Sequence, residues 1–286
     1  MTITRRHTLA LAVSTPLLPA WAAASDKDTL SVVSPWEISS LEPSRTGYVF
    51  SRLQLTETLV DVDPSGALVP GLSTGWLVGA NQKVWRFALR QGARFHDGSP
   101  VTAAHVAQML ERAHKAPGVL GNTPIQKISA DGDSVVVELA RPFSALPAFL
   151  AHTSTQILAP AAYAADGTVQ AVIGSGPYKV TRIDAPQKIA LERFDGWQGP
   201  RPAIGKVSYL AVSRAETRQL LASSGQADLV FTHDPANFAR LQNNKKLQFH
   251  SLPIPRVMYI KVNAGHPYLK DVAVRRALSL AIDRAG

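Results

Sequence analysis

Few residues in this chain could do chemistry, and their spacing argues against catalysis. Gly71-Leu72-Ser73-Thr74-Gly75 matches G-x-S-x-G, the pattern of a nucleophile elbow, in which the serine sits on a sharp strand-to-helix turn. Here Pro70 stands before it, and a segment leading to an alternating stretch around Trp85 follows. The context is wrong for an elbow, so a serine hydrolase using Ser73 stands only as a distant alternative. The histidines, His7, His96, His105, His114, His152, His233, His250 and His266, form no i, i+4 pair and no H-E-x-x-H. That spacing is what lets one helix face grip a metal. His105 and His114 are nine apart, about half a turn out of alignment on a helix. Gly174-Ser175-Gly176 is followed by Pro177 rather than by a phosphate-loop continuation, so a tight turn is expected there. With no cysteine in the chain, disulfides, thiolate metal sites and cysteine nucleophiles are excluded together. No catalytic residue, metal ligand or cofactor is expected.

The net charge of +9 and a pI near 9.9 raise the question of nucleic acid, because a basic excess attracts phosphate. Placement answers it. Residues 25–239 carry 19 basic and 19 acidic side chains, and residues 240–286 carry nine basic and two acidic. A neutral body with a basic end is not the sustained basic groove that tracks a phosphate backbone, so no nucleic-acid partner is expected.

The first 24 residues read as an address. Arg5-Arg6 precede an apolar run from Leu9 to Leu18, and Ala20-Trp21-Ala22-Ala23-Ala24 supplies a small-residue cleavage site. Charged region, short apolar core and cleavage site together form an export signal. The core is too short to span about 30 Å of hydrocarbon. The paired arginines resemble a twin-arginine signal, although Thr8 stands where an aromatic residue is usual, so either export route remains open. Cleavage is expected near Ala22–Ala24, and without cysteine the mature chain is not a lipoprotein.

The elements that would position any site follow from patterning. A length of 286 residues suits one large domain or two small ones. Leu30–Ser34 predicts a buried strand ended by Pro35-Trp36, and Val84–Leu89 alternates as a half-buried strand does. Residues 48–60 carry a mostly helical apolar spacing. Thr102 predicts a helix N-cap, with Val106, Met109, Leu110 and Ala113 on the buried face. Asp131-Gly132-Asp133 separates two strands. Helices are expected near Leu146–Leu150 and Arg214–Ser224, and strands at Asp228–Phe231 and Val257–Val262. Asp271–Asp283 predicts an amphipathic helix with Val274, Ala277, Leu278 and Ala281 inward. Strands and helices intermix without a fixed repeat, a mixed α/β pattern.

Residues 71–112, GLSTGWLVGANQKVWRFALRQGARFHDGSPVTAAHVAQMLER, resemble the signature stretch of the family 5 solute-binding proteins of peptide and nickel ABC importers. Four further segments agree in order: Leu41-Glu42-Pro43 with Glu57-Thr58-Leu59-Val60, Ile173-Gly174-Ser175-Gly176-Pro177-Tyr178, Ala222–Val230 and Asp271–Arg284. One departure is His105, where members often carry an acidic residue that completes a capping box. Phe95-His96-Asp97-Gly98 then reads as a turn feeding the Thr102 helix, with structural rather than catalytic roles for His96 and Asp97.

The resemblance implies an α/β fold of the periplasmic binding protein type II, large cluster C kind, in which two lobes close over a ligand. It implies a signal at 1–24, an N-terminal lobe at 25–257 lacking its C-terminal return segment, and a hinge strand with the first helix of a second lobe at 258–286. On that reading the chain is C-terminally truncated and binds poorly by itself. The implied function is the periplasmic substrate-binding component of an ABC importer for di- or oligopeptides. It would be non-enzymatic and monomeric, with permease subunits as partners. A nickel chelate, opine or glutathione is the alternative ligand within the family. Nickel-binding members place an arginine in the stretch matching Ala151–Pro160, where this chain has only His152. The resemblance makes Trp36, Glu37 and Tyr48 candidate ligand-binding residues, and Ile260 and Asn263 hinge residues. Trp36 could cover a ligand or pack over the strand end, and Glu37 could meet an amino group.

Overall fold

The computed structural model describes residues 28–231, 241–251 and 259–283, and the expected export signal lies outside them. The chain divides into two units, residues 1–247 and 248–286.

The first unit is built on two sheets. In one, β1 (Thr29–Ser34) lies between β10 (Lys206–Ala211) and β11 (Leu229–Val230), parallel to both. β9 (Lys188–Arg193) and β8 (Tyr178–Asp184) extend it antiparallel, giving the order β11-β1-β10-β9-β8. The other sheet is an antiparallel meander of β4 (Ser73–Val78), β5 (Val84–Leu89), β7 (Ser134–Leu139) and β6 (Ile125–Asp131). A short hairpin, β2 (Val60–Val62) with β3 (Leu68–Pro70), precedes it. β5 alternates strictly, with Trp85, Phe87 and Leu89 buried between exposed neighbours, as a strand covered on one face must. The covering helix is α2 (Ala103–Lys115), which presses Val106 and Leu110 onto Phe87, Val135 and Val137 in one core. A separate core joins α1 (Pro43–Arg52) to the five-stranded sheet through Val49, Phe50, Val32 and Tyr209. Short α3 (Leu146–Phe149) and α4 (Ala215–Ser223) complete the unit.

Local chemistry explains most boundaries. Thr102 caps α2, its hydroxyl accepting from the His105 N–H at 3.3 Å. α1 starts on Pro43, whose fixed φ suits a first helical turn. The helical reading of residues 48–60 needs correction, because the helix stops at Arg52. Gln54 takes a φ of 54°, its N–H bonds Ser51 O, and Leu55 N–H bonds Phe50 O, both at 2.9 Å. That is a Schellman ending, with Leu55 packed in the same core as Phe50. The residues after it pair with other backbones instead, as Glu57 does with Ile157 and Val60 with Pro70.

In the second unit, helix α5 (Val272–Leu280) is capped by Asp271, whose carboxylate accepts from Ala273 N–H at 2.8 Å. Its apolar stripe does not turn inward: Val274 and Leu278 are 40% and 47% exposed. Amphipathic spacing marks a face that can be buried but does not supply a partner. The expected strand at Val257–Val262 also fails where it is described, since Tyr259–Val262 adopts no regular structure. Val257 and Met258 lie outside the described residues.

Two substitutions test these local accounts by urea unfolding at neutral pH. Thr102→Ala should lower stability by ~1 kcal/mol, the usual worth of a cap. Gly176→Ala places a Cβ against the Gln54 carbonyl oxygen, and backbone cannot retreat as a side chain tip can. Its cost should reach ~2–3 kcal/mol, and a Gly176→Ala loss smaller than that of Thr102→Ala would refute the close-approach account.

Candidate ligand-binding site

Trp36 leaves β1 at its carboxyl end and is half-buried. Its backbone is fixed from both sides: the N–H donates to Ser34 Oγ at 3.2 Å, and the carbonyl accepts from the Tyr209 hydroxyl on β10. Tyr209 spends its only proton there, so Ser34 Oγ donates to the Tyr209 oxygen. Burial then raises the Tyr209 phenol above its ordinary value. The Trp36 ring meets Tyr48 edge-on at 6.0 Å and Phe231, just past β11, at 5.7 Å. The Arg52 guanidinium lies over the indole at 4.6 Å and 5.8 Å from the Tyr48 ring.

Beside this cluster is an apolar cavity of about 190 Å³, lined by Trp36, Phe231, Arg52 and aliphatic side chains that include Val32, Leu53 and Val207. The structure thus brings Trp36 and Tyr48 together. Glu37 is exposed and lines no part of the cavity. Ile260 and Asn263 belong to the second unit. Ile260 is 74% exposed, and Asn263 holds a turn by accepting from Gly265 N–H at 3.0 Å. Arg52, Phe231 and Tyr209 were not singled out from the sequence. Tyr48 and Arg52 stand at i, i+4, which places them on one face of α1, and that was the available signal.

A second cavity, about 480 Å³, is more polar and includes Thr56, Glu57, Gln156, Trp197 and Arg201. Its charged centre is already paired. Arg90 Nη2 donates to both Glu57 oxygens at 2.9 and 3.0 Å, Arg90 Nη1 to Gly71 O at 3.1 Å, and the guanidinium faces Trp197 at 5.3 Å. Burial raises the Glu57 carboxyl above its ordinary value, with Arg90 opposing.

The residues whose types suggest catalysis are committed elsewhere. Ser73 is buried in β4 and its hydroxyl donates to Leu59 O at 2.8 Å, so it is neither on an elbow nor presented to solvent. His96 is a staple: its backbone N–H bonds Gly174 O, Nδ1 accepts from Gly174 N–H at 3.2 Å, and Nε2 faces Gly176 O at 3.0 Å. Those partners require the neutral ring with its proton on Nε2. Asp97 accepts from Ser99. His152 Nδ1 accepts from Ser154 N–H at 3.1 Å. Among the described residues, no group of three or more histidine and carboxylate side chains could hold a metal.

Residues 67–286 match the model of the bacterial extracellular solute-binding proteins, family 5 middle. The glutathione-binding protein GsiB of Escherichia coli O1:K1 is 26% identical over 291 residues, covering 98% of this chain and 56% of that protein. The probable D,D-dipeptide-binding periplasmic protein DdpA of Escherichia coli K12 is 28% identical over 306 residues, covering 99% and 58%. The crystal structure of the nickel ABC transporter from Bacillus halodurans superposes with a TM-score of 0.74 at 25% identity, over 90% of this chain and 54% of that one. The chain spans just over half the length of the curated relatives it matches.

The His96 staple has a pH consequence. Burial holds the ring near a pKa of about 4, against 6.5 for the free side chain. The unfolded chain therefore binds a proton that the folded one refuses between those values. Stability is full above pH 6.5 and falls as pH drops towards 4, by up to roughly 3 kcal/mol. Denaturant midpoints at pH 7 and pH 4.5 should show the loss in the parent protein and a smaller loss in His96→Gln. Equal pH slopes for the two would overturn the assignment.

Proposed function

The chain belongs to the bacterial extracellular solute-binding proteins of family 5, and from that premise we propose that it serves as the periplasmic substrate-binding component of an ABC importer for di- and oligopeptides. Residues 25–257 supply the first lobe, and residues 258–286 the hinge segment, with Ile260 and Asn263, and the first helix of the second. The leader at residues 1–24 is removed near Ala22–Ala24, and the mature protein is free in the periplasm, monomeric and non-enzymatic. It delivers its solute to permease subunits in the membrane.

One observation carries the reading. Trp36 and Phe231 follow the carboxyl ends of β1 and β11, two parallel strands, and share the lining of one apolar cavity. Ligands of open α/β sheets bind beyond the carboxyl ends of the strands. With the Trp36 N–H and carbonyl spent on Ser34 and Tyr209, the backbone of Glu37 is what this loop offers to an extended peptide, and backbone pairing tolerates many peptide sequences. Trp36 is the ligand-covering residue on this account, Tyr48 supports it, and Glu37, outside the cavity lining, meets a peptide amine. The similarity to GsiB favours a second reading within the same class, in which the solute is glutathione, itself a tripeptide.

Nuclear magnetic resonance titration with di- and tripeptides, glutathione and a sugar control, up to millimolar concentration, tests the proposal. Peptides should shift the Trp36 indole signal, identified by its loss in Trp36→Phe, while the sugar should not. An unmoved indole across the whole peptide panel would refute a peptide-binding role. A response to glutathione alone would select the second reading.

A further inference from the structure

Arg52 is the one member of the aromatic cluster whose chemistry that reading leaves unused. It is exposed, and among the described residues no carboxylate lies within ion-pair distance of it. One of its nitrogens, Nη1, donates to Tyr48 O at 2.9 Å, the carbonyl one helical turn back. A guanidinium has five N–H donors in a planar fork, so most of the fork is unspent. The guanidinium carbon lies over the Trp36 ring at 4.6 Å and over the Tyr48 ring at 5.8 Å. Contact with two aromatic rings restrains the cation without using its N–H groups. The result is a held cation whose unspent donors suit the two oxygens of a carboxylate.

The cavity that Arg52 helps to line adds the second half of the recognition. Its other walls are largely aliphatic and aromatic: Leu30, Val32, Val207 and Leu229 beside Trp36 and Phe231. Of the polar residues besides Arg52, Tyr209 has its hydroxyl committed to the Trp36 carbonyl and Tyr178 its hydroxyl to Ile204 O, which leaves the neutral Gln54. A volume of about 190 Å³ equals roughly six waters at about 30 Å³ each, enough for one leucine- or phenylalanine-sized side chain. An apolar chamber with a single cation in its wall repels an ammonium and gains from a carboxylate next to an apolar group. In a peptide those two features adjoin at the last residue.

We propose that this site, resting on the peptide-binding reading above, takes the C-terminal residue of a short peptide, with its carboxylate on the Arg52 fork and its apolar side chain in the cavity. The protein on this account selects free acids over amides and apolar over charged C-terminal residues. Arg52 is a binding residue, and Trp36 and Tyr48 hold it in position.

The test compares Ala-Ala-Leu, its C-terminal amide and Ala-Ala-Lys on the purified chain, following the Trp36 indole signal. The free acid should bind about tenfold or more tightly than the amide, and Ala-Ala-Lys should bind less well than Ala-Ala-Leu. Arg52→Gln should bring acid and amide to the same affinity, while Arg52→Lys keeps part of the preference. The acid-to-amide comparison on the parent protein needs no variant, so a misfolded Arg52→Gln cannot hide the answer. Equal binding of acid and amide by the parent, with the indole shifted by both, overturns the carboxylate assignment and leaves the peptide reading standing. No response to any peptide removes both. Concentration-dependent dimers in sedimentation, with the indole shifted by protein concentration alone, would give the cavity to a second copy and overturn the inference.

Discussion

The structure of the first unit turns on a place where two backbones meet with no room for a side chain between them. Gly174 and Gly176 lie against the carbonyl oxygens of Leu55 and Gln54, and Gly176 N–H donates to Leu55 O at 3.2 Å. The Leu55 carbonyl belongs to the Schellman turn that ends α1, so the strip holds the end of that helix. On its other side the same strip holds His96, which bonds Gly174 through backbone and ring and faces Gly176 O. One glycine strip therefore connects α1, which covers the five-stranded sheet, to the loop that feeds α2, which covers the other. A Cβ at Gly176 meets only backbone and one at Gly174 meets the Leu55 carbonyl as well as the Thr56 methyl, and backbone bound in a helix ending cannot move without breaking what it is bound to. The position of α1, and with it Tyr48 and Arg52, is set from here.

What α1 then offers depends on parallel pairing in the sheet beneath it. β1 pairs with β10 and β11 in the same direction, so Trp36 and Phe231 emerge on the same edge, and Tyr209 from β10 reaches back to the Trp36 carbonyl. A reversed β11 would put Phe231 at the far end of the sheet. The aromatic cluster is thus a result of topology, assembled from residues 36, 48, 52, 209 and 231, of which only Tyr48 and Arg52, one helical turn apart on α1, are close neighbours in sequence.

That separation explains how much could be seen in the sequence. Features set by neighbours along the chain were legible: the β5 alternation, the Thr102 cap, the Asp131-Gly132-Asp133 turn and the Asp271 cap. The family resemblance likewise rests on short segments, the GSGPY turn and the Glu57 block, although their partners, Leu55 and His96 for the one and Arg90 and Ile157 for the other, lie elsewhere in the chain. Features set by partners far along the chain were not legible. Helical spacing continues past Arg52, yet Gln54 turns the backbone left-handed, and Glu57 finds Ile157 a hundred residues away. The inward stripe assigned to residues 271–283 failed for a related reason: periodicity names a face and is silent about its partner. Trp36 could be suspected from its place after a strand, whereas the i, i+4 spacing of Tyr48 and Arg52 gives only a shared helix face, because the significance of Arg52 lies in the rings it lies against and in the absence, among the described residues, of a carboxylate within ion-pair distance.

The contrast between spent and unspent polar groups is the strongest physical argument for where a ligand goes. Ser73, His96, Asp97, Glu57 and Arg90 all look chemical in a sequence, and each has its donors or acceptors used by a named neighbour. The Glu57–Arg90 pair shows the cost of such commitment. Burial disfavours the carboxylate so strongly that its pKa rises even with a guanidinium touching both oxygens. A solute entering the larger polar cavity would have to compete with that pair for the charge that makes the pair tolerable. Beside Trp36 the balance is reversed. The cation there is solvated and, among the described residues, has no carboxylate within ion-pair distance, so a ligand carboxylate gains an ion pair without breaking one of those described, and the apolar walls next to it gain by losing water. Cavity size alone would point to the larger chamber, and the energetics point to the smaller.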